Sequence, residues 1–281
     1  MYRKWRGEKL KENKTPSNLI QFFFITRYEI LKLKERKRLL LGVIISIFLA
    51  LFTCIIVPLT LSYVLRINFY YGLTNINGFH YSNLSFLAVI LIFFPVLFSS
   101  DSLSYEYEKN TGLSLFIQPV RKDILALGKM FGSYLLIILM IMIYYIIITI
   151  FSLIIYPSFE SIICIYPLFL SFILSLAISF TYLSITFLVN SFFNKTIFTV
   201  IIILVGIFVI SPMLTPLNDL YWFHYLNIPY TSIILTLDYF KPIYGYLAAG
   251  YPNTILVLIY LMGYVIISIF LTCIWENRKN I

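Results

Sequence analysis

Charge is what this sequence has least of. Only 12% of its 281 residues are charged, about half the share in a soluble domain. Histidine is rarer still: His80 and His224 are the only two, and both are expected in loops outside the membrane. The three cysteines, Cys54, Cys164 and Cys273, lie far apart inside apolar stretches. They suit small apolar packing better than a disulfide or metal framework. No His, Cys, Asp or Glu cluster has metal-ligand spacing. Gly128-Lys129 is the one Gly-Lys pair, and it lacks the upstream glycine and following Ser or Thr of a phosphate-binding loop. These absences exclude a conventional catalytic, metal or nucleotide site. Any energy source would have to lie in another chain.

What is present is apolar length. Hydrophobic residues make up 60% of the chain. Uncharged stretches run over 39–65, 83–100, 130–159, 161–194, 196–218 and 253–275. A bilayer-spanning helix needs about 20 mostly apolar residues. The spacing therefore predicts an all-α polytopic membrane protein with six transmembrane helices. The first apolar run is too long for a signal peptide and follows some 38 polar or amphipathic residues, so it is read as a retained span.

Lys and Arg set the orientation. Twelve precede the first stretch, Lys109, Arg121, Lys122 and Lys129 fall between the second and third, Lys195 follows the fourth, and Arg278 and Lys279 follow the sixth. Only Arg66 and Lys241 occupy the alternate loops. The positive-inside rule then places both termini in the cytoplasm. The net charge of +9 is mostly this bias, with attraction to anionic lipid added. A nucleic-acid surface is not supported, because no aromatic-basic platform accompanies the basic N-terminus.

Residues 1–38 read as a basic cytoplasmic tail followed by an interfacial helix. Thr15, Pro16, Ser17 and Asn18 supply start signals, with Ser and Asn able to cap. Phe22, Phe23, Phe24 and Ile25 would enter the acyl chains, and Lys32, Lys34, Arg36, Lys37 and Arg38 would meet the headgroups. Residues 39–281 form a single six-helix transmembrane domain. The first outer loop carries Phe69, Tyr70, Tyr71, Phe79, His80 and Tyr81 as an aromatic belt. The outer segment 217–252 is aromatic and broken by Pro229, Pro242, Gly245, Gly250 and Pro252. It reads as short outer-leaflet helices between spans five and six, tolerable there if packed on protein or lining a cavity. No Asp, Glu, Lys or Arg falls inside the predicted spans, which argues against an ion-coupled carrier. Ser175, Ser179, Thr181, Ser184, Thr186 and Asn190 in the fourth are read as helix-packing hydrogen-bond groups.

The cytoplasmic loop 101–129 has the most specific order of residues. Glu106 and Glu108 precede Thr111-Gly112. Apolar Leu113, Leu115, Phe116 and Ile117 follow, then Pro119-Val120-Arg121, then Lys129 at the opening of the third span. Solvated loop charges are the plain reading. The order, however, resembles the membrane subunit of ABC-2 type ABC transporters, which carries an acidic pair, a Gly/Thr turn, then Pro, Arg and Lys between spans two and three. Thr-Gly here replaces the commoner Gly-Thr. The N-terminal helix, six spans, inside termini and long outer segment extend the resemblance over nearly the whole chain.

The resemblance implies a permease subunit of an ATP-driven exporter working by alternating access in the plasma membrane. Its partners would be a dimer of cytoplasmic ABC ATPases, a second copy or paralogue, and the lipid bilayer. ATP and Mg would bind the ATPases, leaving this chain without a cofactor. Residues from about 104 to 118 would hold a coupling helix. Glu106, Glu108, Thr111, Gly112, Leu113, Phe116, Pro119 and Arg121 would be the coupling residues. A non-transporting assembly subunit and a polytopic membrane enzyme are the rival classes. The enzyme would need a polar catalytic set at the membrane surface, which the sequence does not offer.

Overall fold

A backbone surrounded by hydrocarbon must satisfy its own N–H and C=O groups, which favours helices for such apolar stretches. The computed structural model describes residues 17–56, 76–100, 102–103, 121–156, 165–193, 195–206 and 254–278, and every element among them is helical. The elements are α1 (Asn18–Glu35), α2 (Arg38–Leu51), α3 (Ile76–Ser99), α4 (Lys122–Ile155), α5 (Ile165–Phe192), α6 (Thr196–Val205) and α7 (Thr254–Arg278). A π-helical turn, Phe52–Ile56, continues α2.

Five of these helices are long and apolar enough to cross a membrane: α2 with its π turn, α3, α4, α5 and α7. Within the fifth expected span, 196–218, the structure describes only α6, whose 10 residues are too few to cross a membrane. The outer segment 217–252 lies outside the described residues. The second and third stretches begin earlier than composition suggested. Phe79 and His80, read as loop residues, sit in the first turns of α3 and are buried. His80 Nε2 lies 3.1 Å from the Ser152 hydroxyl of α4.

Helix α4 starts at Lys122, eight residues before the uncharged stretch. Its 34 residues make a rod of about 51 Å at 1.5 Å per residue, longer than the ~30 Å hydrocarbon core. Helix α4 is the centre of the bundle. It touches α1, α2, α3, α5 and α7, while α7 packs chiefly along α5. The core is built from Leu87, Leu91, Phe94 and Phe98 of α3, Ile137, Ile141 and Tyr144 of α4, and Ile178 and Leu183 of α5.

Helix α1 is a separate element. Ser17 holds the N-cap position, but its hydroxyl makes no capping bond; its carbonyl accepts from the Gln21 amide at 3.0 Å. The helix ends in a turn where Lys37 takes a left-handed conformation, φ 58°. Its faces are inverted relative to a soluble protein. Thr26, Glu29, Lys32 and Leu33 recur at helical spacing and turn inward. Phe23 and Phe24 are 65% and 64% exposed. Lys32, expected among the headgroup-facing cations, is thus a buried residue.

Two glycines let α1 approach α4. A Cβ on Gly128 would stand 2.8 Å from Ile25 Cγ2, and one on Gly132 would stand 3.0 Å from the Thr26 carbonyl oxygen and from Glu29 Cβ. Gly128 and Gly132 are four apart, the small-xxx-small spacing that brings helices close in membranes. Gly132→Leu is therefore expected to destabilise the protein by about 1–3 kcal/mol, the usual cost of overpacking. Helix propensity alone would favour Leu over Gly. Thermal unfolding in detergent checks this, with Gly263→Leu as the control, because among the described residues nothing lies within 4 Å of a Cβ at Gly263.

Candidate functional site

The expected coupling residues Glu106, Glu108, Thr111, Gly112, Leu113, Phe116 and Pro119 lie outside the described residues, as does Leu115. Arg121 is described. It immediately precedes α4, and its exposed Nη2 bonds Asp123 Oδ2 at 2.9 Å. A two-residue ion pair this exposed contributes little to stability.

The two feet of that loop are more informative. Helix α3 ends at Ser99, and the chain turns there: the Ser102 amide donates to the Ser99 carbonyl at 3.1 Å. Ser102 is fully buried. Its hydroxyl donates to Glu29 Oε1 of α1 at 3.0 Å. Its carbonyl accepts from Lys129 Nζ of α4 at 3.1 Å. Lys32 Nζ lies 3.4 Å from Glu29 Oε2. One turn along α1, the Thr26 hydroxyl reaches the Gly128 carbonyl at 3.2 Å. One foot of the loop is thereby joined to α1 and to the first turns of α4.

Glu29 and Lys129 are 0% and 1% exposed. At that burial neither can be a solvated surface charge, since an ionised group out of water is costly unless it is paired and hydrogen-bonded. The glycines explain how the carboxylate gets there: Glu29 packs directly over Gly132. Lys129, expected to open the third span, instead lies two turns inside α4. The cluster is extended by cross-helix bonds at the same end. Asn190 Nδ2 of α5 donates to the Ser99 carbonyl at 2.9 Å, Ser133 Oγ to the Phe98 carbonyl at 3.3 Å, and Arg38 Nη1 to the Leu97 carbonyl at 2.6 Å. Each of these caps or clasps the last turn of α3, whose terminal carbonyls have no partner within the helix.

The chemistry available is mechanical. Among the described residues no group of three His, Cys, Asp or Glu could hold a metal ion. The cluster offers instead a rigid link: a movement of the Ser102 turn must carry Glu29 and Lys129 with it or break buried polar bonds.

Residues 25–210, two-thirds of the chain, match the sequence profile of the ABC-2 family transporter protein. The chain belongs to the ABC-2 transporter family. The matched region begins one residue before Thr26 and contains every member of the cluster. No curated protein matches the chain. With its set of apolar helices, this ABC-2 chain is a multi-pass membrane protein.

The fourth apolar stretch of the ABC-2 chain fills the packing role expected of its polar groups in part, with Ser175 reaching the Tyr145 hydroxyl of α4. Ser175, Ser179, Thr181, Ser184 and Thr186 bond carbonyls three or four residues back in α5, the local alternative open to buried Ser and Thr. Asn190 crosses to α3. Sequence reasoning also passed over Glu29, Ser102 and the Gly128/Gly132 pair. The glycine spacing was the available signal; Ser102 had none. Lys129→Met, which keeps the stem and removes the ammonium, is expected to cost about 1–3 kcal/mol by leaving the buried Ser102 carbonyl short of its donor. Thermal unfolding in detergent, with protein abundance in the membrane as the insertion control, checks it.

Proposed function

We propose that this chain is the permease subunit of an ATP-driven ABC-2 exporter, working by alternating access with separate ATPases. ATP and Mg bind those ATPases, and this chain supplies no catalytic group. Family membership supports the transport role. The observation that carries the coupling mechanism is the Ser102 turn, tied to Glu29 on one side and Lys129 on the other.

In this reading the α1 end of the bundle faces the cytoplasm, as the Lys and Arg distribution requires. The apolar outer face of α1 lies in the inner leaflet, and α6 begins the fifth of six spans in the plasma membrane. The segment from about 104 to 118 is the coupling element, with Glu106, Glu108, Thr111, Gly112, Leu113, Phe116, Pro119 and Arg121 meeting a groove of the ATPase. Carboxylates and apolar side chains together can seat a short helix by charge pairing and packing. Closure of the ATPase dimer would push this element. The Ser102 turn would pass the push to α1 and α4, and a second permease copy or paralogue would complete the pathway. Such a rigid-body shift is an ordinary switching device.

Changing both Glu106 and Glu108 to Lys tests the reading. The expected outcome is at least a ten-fold loss of ATPase recovered with the permease, or hydrolysis uncoupled from transport, with membrane insertion unchanged. Like-charge juxtaposition at an interface can cost several kcal/mol, whereas ordinary surface changes stay within about 0.5 kcal/mol. Wild-type recovery and wild-type transport in the double variant would remove the carboxylates from the coupling role.

A further inference from the structure

The last four carbonyls of α3 have no partner within the helix, and every one is taken up from outside it. Val96 accepts from the Ser100 amide at 3.1 Å, Leu97 from Arg38 Nη1 of α2 and Phe98 from Ser133 Oγ of α4. The Ser99 carbonyl accepts twice, from the Ser102 amide at 3.1 Å and from Asn190 Nδ2 of α5 at 2.9 Å. That occupies both of its lone pairs. All four carbonyls lie beyond Pro95, which stands inside α3. Proline has no N–H to give the helical ladder, so the last turn is joined to the rest of α3 less firmly than an ordinary turn. Side chains of three other helices hold it instead.

Helix α5 is attached to its neighbours unevenly. The hydroxyls of Ser179, Thr181, Ser184 and Thr186 bond carbonyls of α5 itself. In one half of the helix, α4 supplies the ties: the Tyr145 hydroxyl meets Ser171 Oγ at 2.8 Å, and the Tyr134 hydroxyl donates to the Leu176 carbonyl at 3.1 Å. Asn190 lies about 21 Å beyond Leu176 at 1.5 Å per residue. It is fully buried, and it ties the other end of α5 to α3. Two residues further on, the Phe192 and Trp275 rings stand 4.6 Å apart, centroid to centroid. Trp275 belongs to α7, which packs chiefly along α5.

We propose that Asn190 is the positioning residue through which a displacement of the Ser102 turn reaches α5 and α7. The Ser99 carbonyl is the shared point. A shift of the turn moves the acceptor that Asn190 holds, and α5 answers as a lever, tied to α4 in its far half and driven at its near end. The same turn acts on α1 and α4 through Glu29 and Lys129. One push is thereby divided between α1 and α4 on one hand and α5 and α7 on the other. The proposal rests on the coupling role of segment 104–118 only for where the push begins. The linkage itself is a property of this chain alone.

Coupling between two sites is reciprocal, so amide hydrogen exchange of the full chain in detergent reads it from both ends. Ser102→Ala keeps the backbone of the turn and removes the hydroxyl that donates to Glu29. It is expected to speed exchange at least five-fold in segment 187–192 of α5, to which that hydroxyl makes no bond, and to leave 168–176 unchanged. Asn190→Leu is expected to speed exchange at least five-fold in the Thr26–Leu33 segment of α1 and to leave 144–155 of α4 unchanged. Asn190 makes a further interaction besides the Ser99 bond, so Ser102→Ala, with Asn190 intact, decides the matter if the Asn190 variant does not fold. Changes confined to each variant's own contacts overturn the proposal, and so does faster exchange throughout the chain, which is general loss of stability. A third arm uses the complex with its ATPases. ATP and vanadate should change exchange in 187–192 at least five-fold in the wild type and leave it unchanged in Asn190→Leu, with equal ATPase recovered. An equal response in the two proteins overturns the relay. If no ATPase binds the wild-type chain, the coupling role of the loop falls, and the two detergent arms still decide the linkage.

Discussion

A carboxylate without solvent exposure must have partners wherever it is placed, and Glu29 imposes that requirement on everything around it. Ser102 donates to it, Lys32 stands beside it, and Lys129 holds the other side of the same Ser102 residue. Three parts of the chain that are distant in sequence are thereby fixed in one place: α1, the turn after α3 and the start of α4. Removing one partner of such a group costs more than the pair itself contributes, because the remainder stays buried. The cluster therefore behaves as a unit.

Geometry makes the cluster possible. Without glycine at 128 and 132, α1 could not lie close enough to α4 for Glu29 to reach the Ser102 turn. The approach also decides the fate of the other α1 face. With Thr26, Glu29 and Lys32 turned inward, Phe23, Phe24 and Leu31 are left outward. In water such a helix would be unstable. Its polar face meets protein, and its apolar face suits contact with acyl chains. Further along α2, α3 and α4 the strategy is repeated with neutral groups: the Thr53 hydroxyl of the π turn lies 3.2 Å from the Tyr144 hydroxyl of α4, which donates to the Asn83 carbonyl of α3. The three helices are thus held by charge-assisted bonds near the Ser102 turn and by neutral ones further along.

Much of this was legible in the residues. Uncharged length gave the helical membrane class, because only regular helices bury their own backbone bonds over such stretches. The order Glu106, Glu108, Thr111, Gly112, Pro119, Arg121 and Lys129 gave the family, which the profile match over 25–210 shows independently. Helix starts were less legible. The Lys122–Lys129 segment reads as loop if charge marks the membrane boundary, yet helix α4 runs on past its apolar part. The cluster itself was not legible. Composition places Lys32 among the headgroup-facing cations of an interfacial helix and gives Glu29 no role, and only the three-dimensional partner, Ser102, shows why a carboxylate belongs there.

If Glu29 and the Ser102 turn are energetically one element, a double-mutant cycle shows it: thermal stability in one detergent for Glu29→Gln, Ser102→Ala and the pair. Hydrogen bonds to charged groups contribute about 1.5–3 kcal/mol, so the expected coupling energy is at least about 1 kcal/mol. Independent sites add to within about 0.5 kcal/mol. Additivity at that level would contradict the claim and leave the loop's foot unconnected to α1.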